Sequence, residues 1–311
     1  MAKVLVTGGA GFIGSHLCDR LVERGDEVIV LDNFSYGKRK NLAAIEERIH
    51  IIEDSVQNIG KHAAALAGVE RVYHLAALIS GYDSLKEPEL YFDANITGLL
   101  RLLEVCKGLP GVRVLFASSS TVYGNREEPL RSESDMAAPV TTYALSKYAG
   151  EHLLSMYAPL YGFDYTCLRL FNVYGPRQNP DHPYANVTCK FAHAAATGGT
   201  VALYGDGSQT RDFVYVDDVV ECFLRAGEKK PQRIYNVGTG KDASIRSLLD
   251  LVSSIAGVTI PVDQRGPWPN DIRAIRANID LLRQDFGFEP QVALEQGLAR
   301  TVEFFRGRTH A

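Results

Sequence analysis

Residues 4–14 read Val-Leu-Val-Thr-Gly-Gly-Ala-Gly-Phe-Ile-Gly, and this stretch decides the fold. The apolar run at its start is typical of a strand that is buried on both faces of a sheet. Glycines then follow at intervals of three, at Gly8, Gly11 and Gly14, and a helical apolar pattern begins at Ile13. A strand that turns into a helix over three glycines brings bare backbone N–H groups to a pyrophosphate at the positive helix end. The stretch therefore predicts a dinucleotide-binding turn, with an ordinary glycine-rich turn as the alternative.

The end of the second predicted strand indicates which dinucleotide this turn would bind. That strand covers 27–31 and ends at Asp32, 24 residues after Gly8. In a dinucleotide fold, a carboxylate at this point accepts hydrogen bonds from the hydroxyls of the adenine ribose. Because it would repel a 2′-phosphate, the sequence predicts NAD rather than NADP. The basic run 38–40 follows closely and leaves NADP open as the alternative.

The bulk properties exclude several classes of function. The 311 residues carry a net charge of −4 and have a pI near 6.1, so no surface for nucleic acid is expected. The N-terminus leads straight into the first strand, which leaves no room for a signal peptide. No apolar run approaches the roughly 20 residues of a membrane span. Five scattered cysteines without clustered histidines predict core thiols in a cytoplasmic protein and no structural metal.

Strand and helix patterns alternate up to residue 170. Apolar runs predict further strands at 49–52, 71–75, 112–117 and 165–170, and helical spacing predicts helices at 97–105 and 143–157. This alternation predicts an α/β fold, a doubly wound parallel sheet of the Rossmann type. The regular pattern ends after residue 170, which indicates a smaller, mixed C-terminal substrate domain. We predict a dinucleotide-binding domain at 1–170, rejoined by 213–243, and a second domain at 171–212 and 244–311.

The segment Tyr143-Ala144-Leu145-Ser146-Lys147 places a phenol and an ammonium on one face of a helix, at i and i+4. A free phenol has a pKa of about 10. The lysine, with the positive nicotinamide ring of an oxidised cofactor, would lower this pKa toward working pH, so that Tyr143 could take a proton from a sugar hydroxyl. Ser119 lies 24 residues earlier at a strand end and could share that hydroxyl's hydrogen bond. An isolated pair of this kind would be an ordinary surface pair.

Several motifs together resemble the extended short-chain dehydrogenase/reductase family, in particular its NAD-dependent nucleotide-sugar epimerases and dehydratases, and among these the UDP-sugar 4-epimerases. The resemblance covers essentially the whole chain. It is carried by Thr7 to Gly14, His74-Leu75-Ala76-Ala77, Ser118 to Gly124, Tyr143 to Lys147, Arg169 to Pro176 and Arg211-Asp212-Phe213. The resemblance implies a UDP-sugar substrate, a second domain that binds it, and a homodimer joined through a four-helix bundle.

The resemblance also implies roles for the matching residues. The catalytic set would be Ser119, Tyr143 and Lys147. The NAD site would be built from Gly8, Gly11, Phe12, Ile13, Gly14, Asp32, Asn33, Asp54, Leu75, Ala76, Ala77, Asn95, Ser118, Tyr143 and Lys147. The substrate would be held by Ser84, Ser119, Ser120, Thr121, Tyr143, Asn172, Arg211, Arg265, Arg273 and Ile275. For Asp54, which follows the third strand, a solvated loop acid is the alternative to an adenine contact.

Two positions separate the reactions that this family carries out. Dehydratases of the family have an Asp-Glu pair, the acid and base of elimination, where this chain has Ser120 and Thr121. The sequence therefore predicts oxidation and hydride return at C4, with another nucleotide-sugar modifying enzyme, a reductase, decarboxylase or dehydratase, as the alternative. Ile275 stands where side-chain size resembles a gate for N-acetylated sugars, and its intermediate bulk leaves UDP-glucose and UDP-GlcNAc open. A non-catalytic dinucleotide sensor is the remaining alternative, disfavoured by the complete catalytic set.

One further departure concerns the diphosphate. Family members commonly have an arginine three residues before the acid that is Asp271 here, and this chain has Trp268 at that position. Either Arg265 takes over the phosphate contact or Arg211 holds the diphosphate alone. Trp268 would stack on the nucleobase or serve as a packed hydrophobe. Arg273 tilts the prediction slightly toward acceptance of the N-acetyl sugar.

Overall fold

The computed structural model describes residues 1–181, 185–229, 233–267 and 272–309. Within these ranges the strands are β1 (Lys3–Thr7), β2 (Glu27–Asp32), β3 (Ile49–Glu53), β4 (Arg71–His74), β5 (Arg113–Ser119), β6 (Leu130–Arg131), β7 (Asp164–Leu170), β8 (Asn172–Tyr174), β9 (Val201–Tyr204), β10 (Thr210–Arg211), β11 (Phe213–Tyr215), β12 (Arg233–Val237), β13 (Ala243–Ser244), β14 (Val262–Arg265) and β15 (Ala274–Ala277). The helices are α1 (Phe12–Glu23), α2 (Asp83–Lys86), α3 (Pro88–Phe92), α4 (Gly98–Cys106), α5 (Thr142–Tyr161), α6 (Val187–Thr197), α7 (Val216–Glu228), α8 (Ile245–Ala256), α9 (Asp280–Phe286) and α10 (Leu294–Thr309).

A seven-stranded sheet forms the centre of the first unit, in the order β12-β7-β5-β4-β1-β2-β3. The pairings from β7 through to β3 are all parallel. The strand order reverses at β1, which lies between β2 and β4, and ligands of such sheets bind at this switch point, beyond the carboxyl ends of the strands. The predicted Rossmann-type α/β fold is confirmed, and the glycine turn lies at the switch point.

One face of α4 is buried within this unit. Leu99, Leu102 and Leu103 are completely buried in one cluster with strand residues such as Val72 and Val114. The 3₁₀ segment Val56–His62 packs against the helix as well.

Two compact units divide the chain. The first comprises Met1–Gly124, Met136–Leu170 and Val220–Tyr235, and the second comprises Asn125–Asp135, Phe171–Val219 and Asn236–Ala311. The segment that rejoins the first unit is thus shorter than the predicted 213–243, because β11 pairs in parallel with β8 of the second unit. Residues 125–135 leave the first unit because β6 pairs with β15. Both corrections come from pairings between strands that are distant in sequence.

The second unit combines small sheets with helices. A four-stranded sheet has the order β13-β10-β15-β6, and two-stranded sheets pair β11 with β8 and β14 with β9. Helices α6, α8 and α10 pack against one another. Helix α8 begins after Ser244, whose hydroxyl accepts a hydrogen bond from the backbone N–H of Ser247 at 3.0 Å and so caps the helix.

Candidate active site

The turn between β1 and α1 can form only with glycine at two positions. Gly8 has φ +72°, and a Cβ there would lie 2.7 Å from the backbone nitrogen of Ala76. A Cβ on Gly14 would overlap the carbonyl oxygen of Gly8, which accepts the Gly11 N–H at 3.1 Å. Helix α1 begins at Phe12 with Gly11 as its N-cap, so no side chain covers the N–H groups of its first turn. This cradle fits a pyrophosphate at a helix N-terminus, as the sequence predicts.

Asp32 lies at the carboxyl end of β2, beside the glycine turn. Its carboxylate accepts the Ala10 N–H at 2.9 Å and the Phe34 N–H at 2.8 Å. Burial raises the pKa of Asp32, and the two backbone hydrogen bonds oppose that rise. The adjacent Asn33 side chain is exposed and accepts the Ser35 N–H at 3.1 Å. Asp32 is therefore held in place by backbone donors, as an acceptor for ribose hydroxyls requires.

Asp54 belongs to a local network at the end of β3. Its carboxylate accepts hydrogen bonds from His62 and from the side-chain amide of Asn58, each at 2.8 Å, and from the Ser55 N–H. The His62 hydrogen bond is the largest of the effects that lower the pKa of Asp54 to about 2. Asp54 is thus tied into this local network while its side chain stays partly exposed, and its contact with the adenine stays a prediction.

Asn95 fastens the loop that follows β4. Its side-chain oxygen accepts the Leu78 N–H at 2.8 Å, and its amide nitrogen donates to the Leu78 carbonyl and to the Ser146 hydroxyl, each at 2.9 Å. At the start of the loop, Leu75 and Ala76 donate their N–H groups to the backbone and side-chain oxygens of Thr7. These bonds hold the loop from Leu75 to Leu78 beside the glycine turn and α5.

Helix α5 presents Tyr143, Lys147 and Glu151 on one buried face, at i, i+4 and i+8. Its start is set by Thr141, whose hydroxyl accepts the Ala144 N–H at 3.1 Å, so that Tyr143 lies in the first turn. The face opposes the carboxyl end of β5. Tyr143 forms a hydrogen bond with Ser119, and the Lys147 ammonium donates to the Ala117 carbonyl at 2.9 Å. The structure thus assembles the predicted Ser119, Tyr143 and Lys147 set.

In the protein alone, burial dominates the pKa shifts of this set. Burial raises the pKa of Tyr143 and outweighs the hydrogen bond with Ser119, which lowers it. Burial also lowers the pKa of Lys147 to about 8. The ammonium is bound to the Ala117 carbonyl and lies 5.9 Å from the Tyr143 ring centre. The fall of the phenol pKa toward working pH, through Lys147 and the positive nicotinamide ring together, stays a prediction for the protein with NAD bound.

Sequence reasoning missed a buried ion pair on the same face of α5 as the predicted catalytic residues. The Arg169 guanidinium on β7 donates to both carboxylate oxygens of Glu151, at 2.9 and 2.7 Å. The Ser118 hydroxyl donates to the same carboxylate at 2.5 Å, so this predicted NAD ligand is engaged in the core. The sequence does indicate one partner of this pair, because Glu151 follows Tyr143 and Lys147 at helical spacing and so lies on the same face.

The other predicted substrate residues of the first unit are buried or locally engaged. Ser84 is fully buried, and its hydroxyl donates to the Gly81 carbonyl at 2.6 Å. Thr121 donates its hydroxyl to Ser119 at 2.9 Å, and its N–H points to the same oxygen at 3.2 Å. Ser120 is buried in the 3₁₀ turn Ser120–Tyr123. Ser120 and Thr121 therefore offer hydroxyls and no acid or base.

In the second unit, two of the predicted substrate residues lie on neighbouring strands and a third, Arg273, directly precedes one of these strands. Arg211 of β10 is the register partner of Ile275 of β15, whose side chain is buried, and the Arg273 carbonyl accepts the Thr210 N–H at 2.9 Å. The Arg211 guanidinium donates to the Thr210 and Ile272 carbonyls, at 2.8 and 2.6 Å.

The remaining predicted residues of that unit lie elsewhere. Arg265 is on β14, where its guanidinium pairs with Asp263 at 2.7 Å and donates to the Tyr204 hydroxyl at 3.2 Å. Asn172 begins β8. Trp268 and Asp271 lie outside the described residues.

The described part of the chain holds neither a cluster of metal-binding side chains nor a helix that could span a membrane. No group of three or more His, Cys, Asp or Glu side chains there is placed to hold a metal ion. No helix there is long and apolar enough to cross a membrane.

Comparisons with known proteins identify the family. The model of the NAD dependent epimerase/dehydratase family matches residues 4–238, and the chain belongs to that family. A UDP-glucose 4-epimerase of Mycolicibacterium smegmatis is 40% identical over 99% of each chain. A UDP-N-acetyl-alpha-D-glucosaminuronate decarboxylase of Bacillus cytotoxicus is 35% identical over 98% of each chain. The structure of a UDP-N-acetylglucosamine 4-epimerase from Methanobrevibacter ruminantium, in complex with UDP-N-acetylmuramic acid, has a TM-score of 0.94 at 36% identity and covers 99% of each chain.

Proposed function

We propose that this NAD-dependent member of the family interconverts UDP-hexoses that differ at C4, either UDP-glucose and UDP-galactose or their N-acetylated counterparts. One observation carries the proposal. A buried phenol, hydrogen-bonded to Ser119, stands one helical turn from a buried ammonium, while the neighbouring Ser120 and Thr121 lack any acid or base. Such a site can move a proton on and off a sugar hydroxyl, but it lacks the acid–base pair for elimination.

The chain's own residues would act on the C4 hydroxyl. NAD, when bound, supplies reversible oxidation of the sugar carbon. Tyr143 would accept the hydroxyl proton and later return it, and Ser119 would hold the reacting oxygen through a hydrogen bond. Lys147 would stabilise the phenolate by its positive charge and hold the nicotinamide ribose. The keto-sugar would turn between the two steps, so that the hydroxyl re-forms on the opposite face.

We place the NAD site of the proposal along the carboxyl ends of the strands, around the switch point. Gly8, Gly11 and Gly14 would leave room for the pyrophosphate, and the Phe12 and Ile13 N–H groups at the helix start would bind it. Asp32 and Asn33 would bind the adenine ribose, and Asp54 the adenine. The loop Leu75-Ala76-Ala77, held by Asn95, would approach the cofactor through its backbone, and Ser118 would do so through its backbone because its hydroxyl is engaged.

The second unit would bind the nucleotide diphosphate. Arg211 is the leading residue, because two backbone carbonyls orient its guanidinium and a guanidinium matches phosphate geometry. Arg265 and Arg273 are the further candidates, and Asn172 would reach the sugar or the diphosphate. Ile275 would limit the size of the substituent at C2 of the sugar.

A substrate panel tests the proposal. Purified protein is incubated with UDP-galactose, UDP-N-acetylgalactosamine and UDP-glucuronate, and the products are identified by proton NMR. We expect the C4 epimer of at least one of the first two, without added reductant. Carbon dioxide from the glucuronate, or a requirement for stoichiometric reductant, would instead identify the decarboxylase or reductase, and the decarboxylase among the relatives gives that second candidate its support. Binding of NAD without any turnover would identify the sensor.

We also propose a homodimer that pairs through helix α5. Its solvent-facing side carries exposed apolar side chains, with Leu145 42%, Met156 51% and Leu160 67% exposed, and Leu90 and Phe92 of α3 are exposed as well. A cytoplasmic location likewise stays a prediction. Light scattering at micromolar concentration tests the dimer, and the mass of a single chain there would refute it.

A further inference from the structure

We propose that Phe116 is a positioning residue for Lys147: the face of its ring holds the ammonium in its charged form and in its place beside Tyr143. The inference rests on the proposed function, which gives Lys147 its catalytic role. The contact between Phe116 and Lys147 is a feature of the fold and does not depend on that function. The Lys147 ammonium lies 5.0 Å from the centre of the Phe116 ring, within the range of a cation–π interaction. Phe116 directly precedes Ala117, whose carbonyl accepts the ammonium at 2.9 Å.

Strand β5 thus holds the ammonium twice, through the ring of one residue and the carbonyl of the next. Both groups are neutral. A buried ammonium without a carboxylate partner depends on such neutral groups, because burial disfavours the charged form. Phe116 is 2% and Lys147 4% exposed, so water cannot replace the ring as a source of stabilisation.

The neighbouring helix is shaped to admit the ring. Gly150 lies on α5, three residues after Lys147, and a Cβ there would come within 2.6 Å of the outermost carbon of the Phe116 ring. Glycine inside a helix is destabilising by roughly 0.5–1 kcal/mol relative to alanine. The close approach of Phe116 supplies a reason for a glycine at this position, since any side chain would displace the ring from beneath the ammonium.

The other ionisable groups around Lys147 do not replace the ring. On β4, His74 stacks on Phe116 with ring centres 5.8 Å apart, and burial lowers its pKa to about 3, so it is neutral in the working range. On α5, Glu151 is engaged by Arg169 of β7. Tyr143 is itself the proposed proton-transferring phenol, and Tyr91 of α3 contributes to raising the pKa of that phenol. The Phe116 ring is therefore the group whose removal changes the charge state of Lys147 without adding or removing a charge.

The test measures the titration of Lys147 directly. Protein with its cofactor bound is labelled with [ε-¹³C]lysine, and the Lys147 resonance is assigned by its loss in Lys147→Met. Removal of the ring in Phe116→Leu is expected to lower the titration midpoint of Lys147 by about half a unit to one and a half units. Phe116→Met, whose flexible side chain fills the space without a ring, should give the same shift and serves if Phe116→Leu does not fold. Phe163→Leu, another buried ring in the same core cluster, is the matched control and should leave the midpoint unchanged.

The pH profile of turnover supplies the second measurement. Because charged Lys147 stabilises the phenolate, its loss of a proton should set the basic limb of kcat, and that limb should move to lower pH by the same amount in both Phe116 variants. Unchanged midpoints in these variants, or an equal shift in Phe163→Leu, would overturn the inference. If both Phe116 variants lower the Lys147 midpoint but the wild-type protein epimerises no UDP-sugar, the inference stands and the proposed function is refuted instead.

Discussion

The glycine turn and the proposed catalytic face of α5, which carries Tyr143, Lys147 and Glu151, hold their functional groups in opposite ways. At the turn, the groups proposed to bind the ligand are backbone N–H donors, and the carboxylate of Asp32 is held by two backbone N–H groups, those of Ala10 and Phe34. At the catalytic face, the groups proposed to act are side chains of α5. They contact residues at the end of β5 that lie about 30 positions earlier in the sequence. The turn excludes side chains, whereas the catalytic face is made of buried ones.

This difference predicts different responses to mutation. A turn that depends on empty space fails sterically, when any side chain is added. A face that depends on buried charges and hydrogen bonds fails electrostatically, when one partner is removed and the other is left unpaired. Each of the following variants tests one side of this contrast.

The largest effect is expected for Tyr143→Phe, because the proton-transferring group is lost. Turnover should fall by roughly 10²–10⁴-fold, the usual contribution of a general acid or base. The bound NAD content and the melting temperature should stay close to those of the wild type. Tyr148→Phe, on the same helix and half-buried, is the matched control and should retain full turnover. If turnover of Tyr143→Phe stays within a few-fold of the wild type, Tyr143 is not the proton-transferring group.

The next largest effect is expected for Arg169→Met, which leaves the Glu151 carboxylate buried without its partner. The free energy of unfolding in urea should fall by about 3–5 kcal/mol. Arg39→Met, which breaks two ion pairs on the surface, should cost much less because water screens those charges. The double variant Glu151→Leu/Arg169→Met should recover much of the loss, and a double variant no more stable than Arg169→Met would argue against charge burial as its cause.

A smaller loss of stability is expected for Gly14→Ala, whose added methyl group would overlap the Gly8 carbonyl oxygen. The turn must open, so the purified protein should lose its NAD, and the free energy of unfolding should fall by about 1–3 kcal/mol. Gly60→Ala is the control, since no atom lies within 4 Å of a Cβ at that position. Retention of NAD by Gly14→Ala, measured from the absorbance of the extracted nucleotide, would show that the turn tolerates a side chain.

The smallest effect concerns the pH dependence of stability at Asp32. Burial raises its pKa in the folded protein above that of the unfolded chain, so the folded state keeps its proton over a range where the unfolded state has lost it. The free energy of unfolding should therefore decrease as pH rises through this acidic window. Asp32→Asn lacks this contribution. The free energy of unfolding of the wild type minus that of Asp32→Asn, both measured in urea, should therefore decrease with rising pH. A difference that is constant from pH 3 to 7 would contradict the shift.

Most of the fold follows from local pattern in the sequence. The apolar strands, the glycine turn and the Ser244 cap were predictable, because strand burial, positive φ and helix capping each depend on neighbouring residues. The boundaries of the two units were not. Pairing of β11 with β8 and of β6 with β15 depends on which strands meet after the chain has folded, and strands of two or three residues carry no periodic signal.

In the candidate site, too, some features follow from the local sequence and others only from the tertiary structure. The sequence by itself determined the residue types, namely three glycines, an acid after the second strand, and a phenol and an ammonium one helical turn apart. Tertiary structure alone decided their protonation and their partners. Burial raises the pKa of Tyr143 and lowers that of Lys147, and Ala117, Phe116 and Arg169 become partners only because β5 and β7 lie under α5. The physical reason is that helix and turn propensities act over a few residues, whereas desolvation and charge pairing depend on whatever the folded chain places alongside.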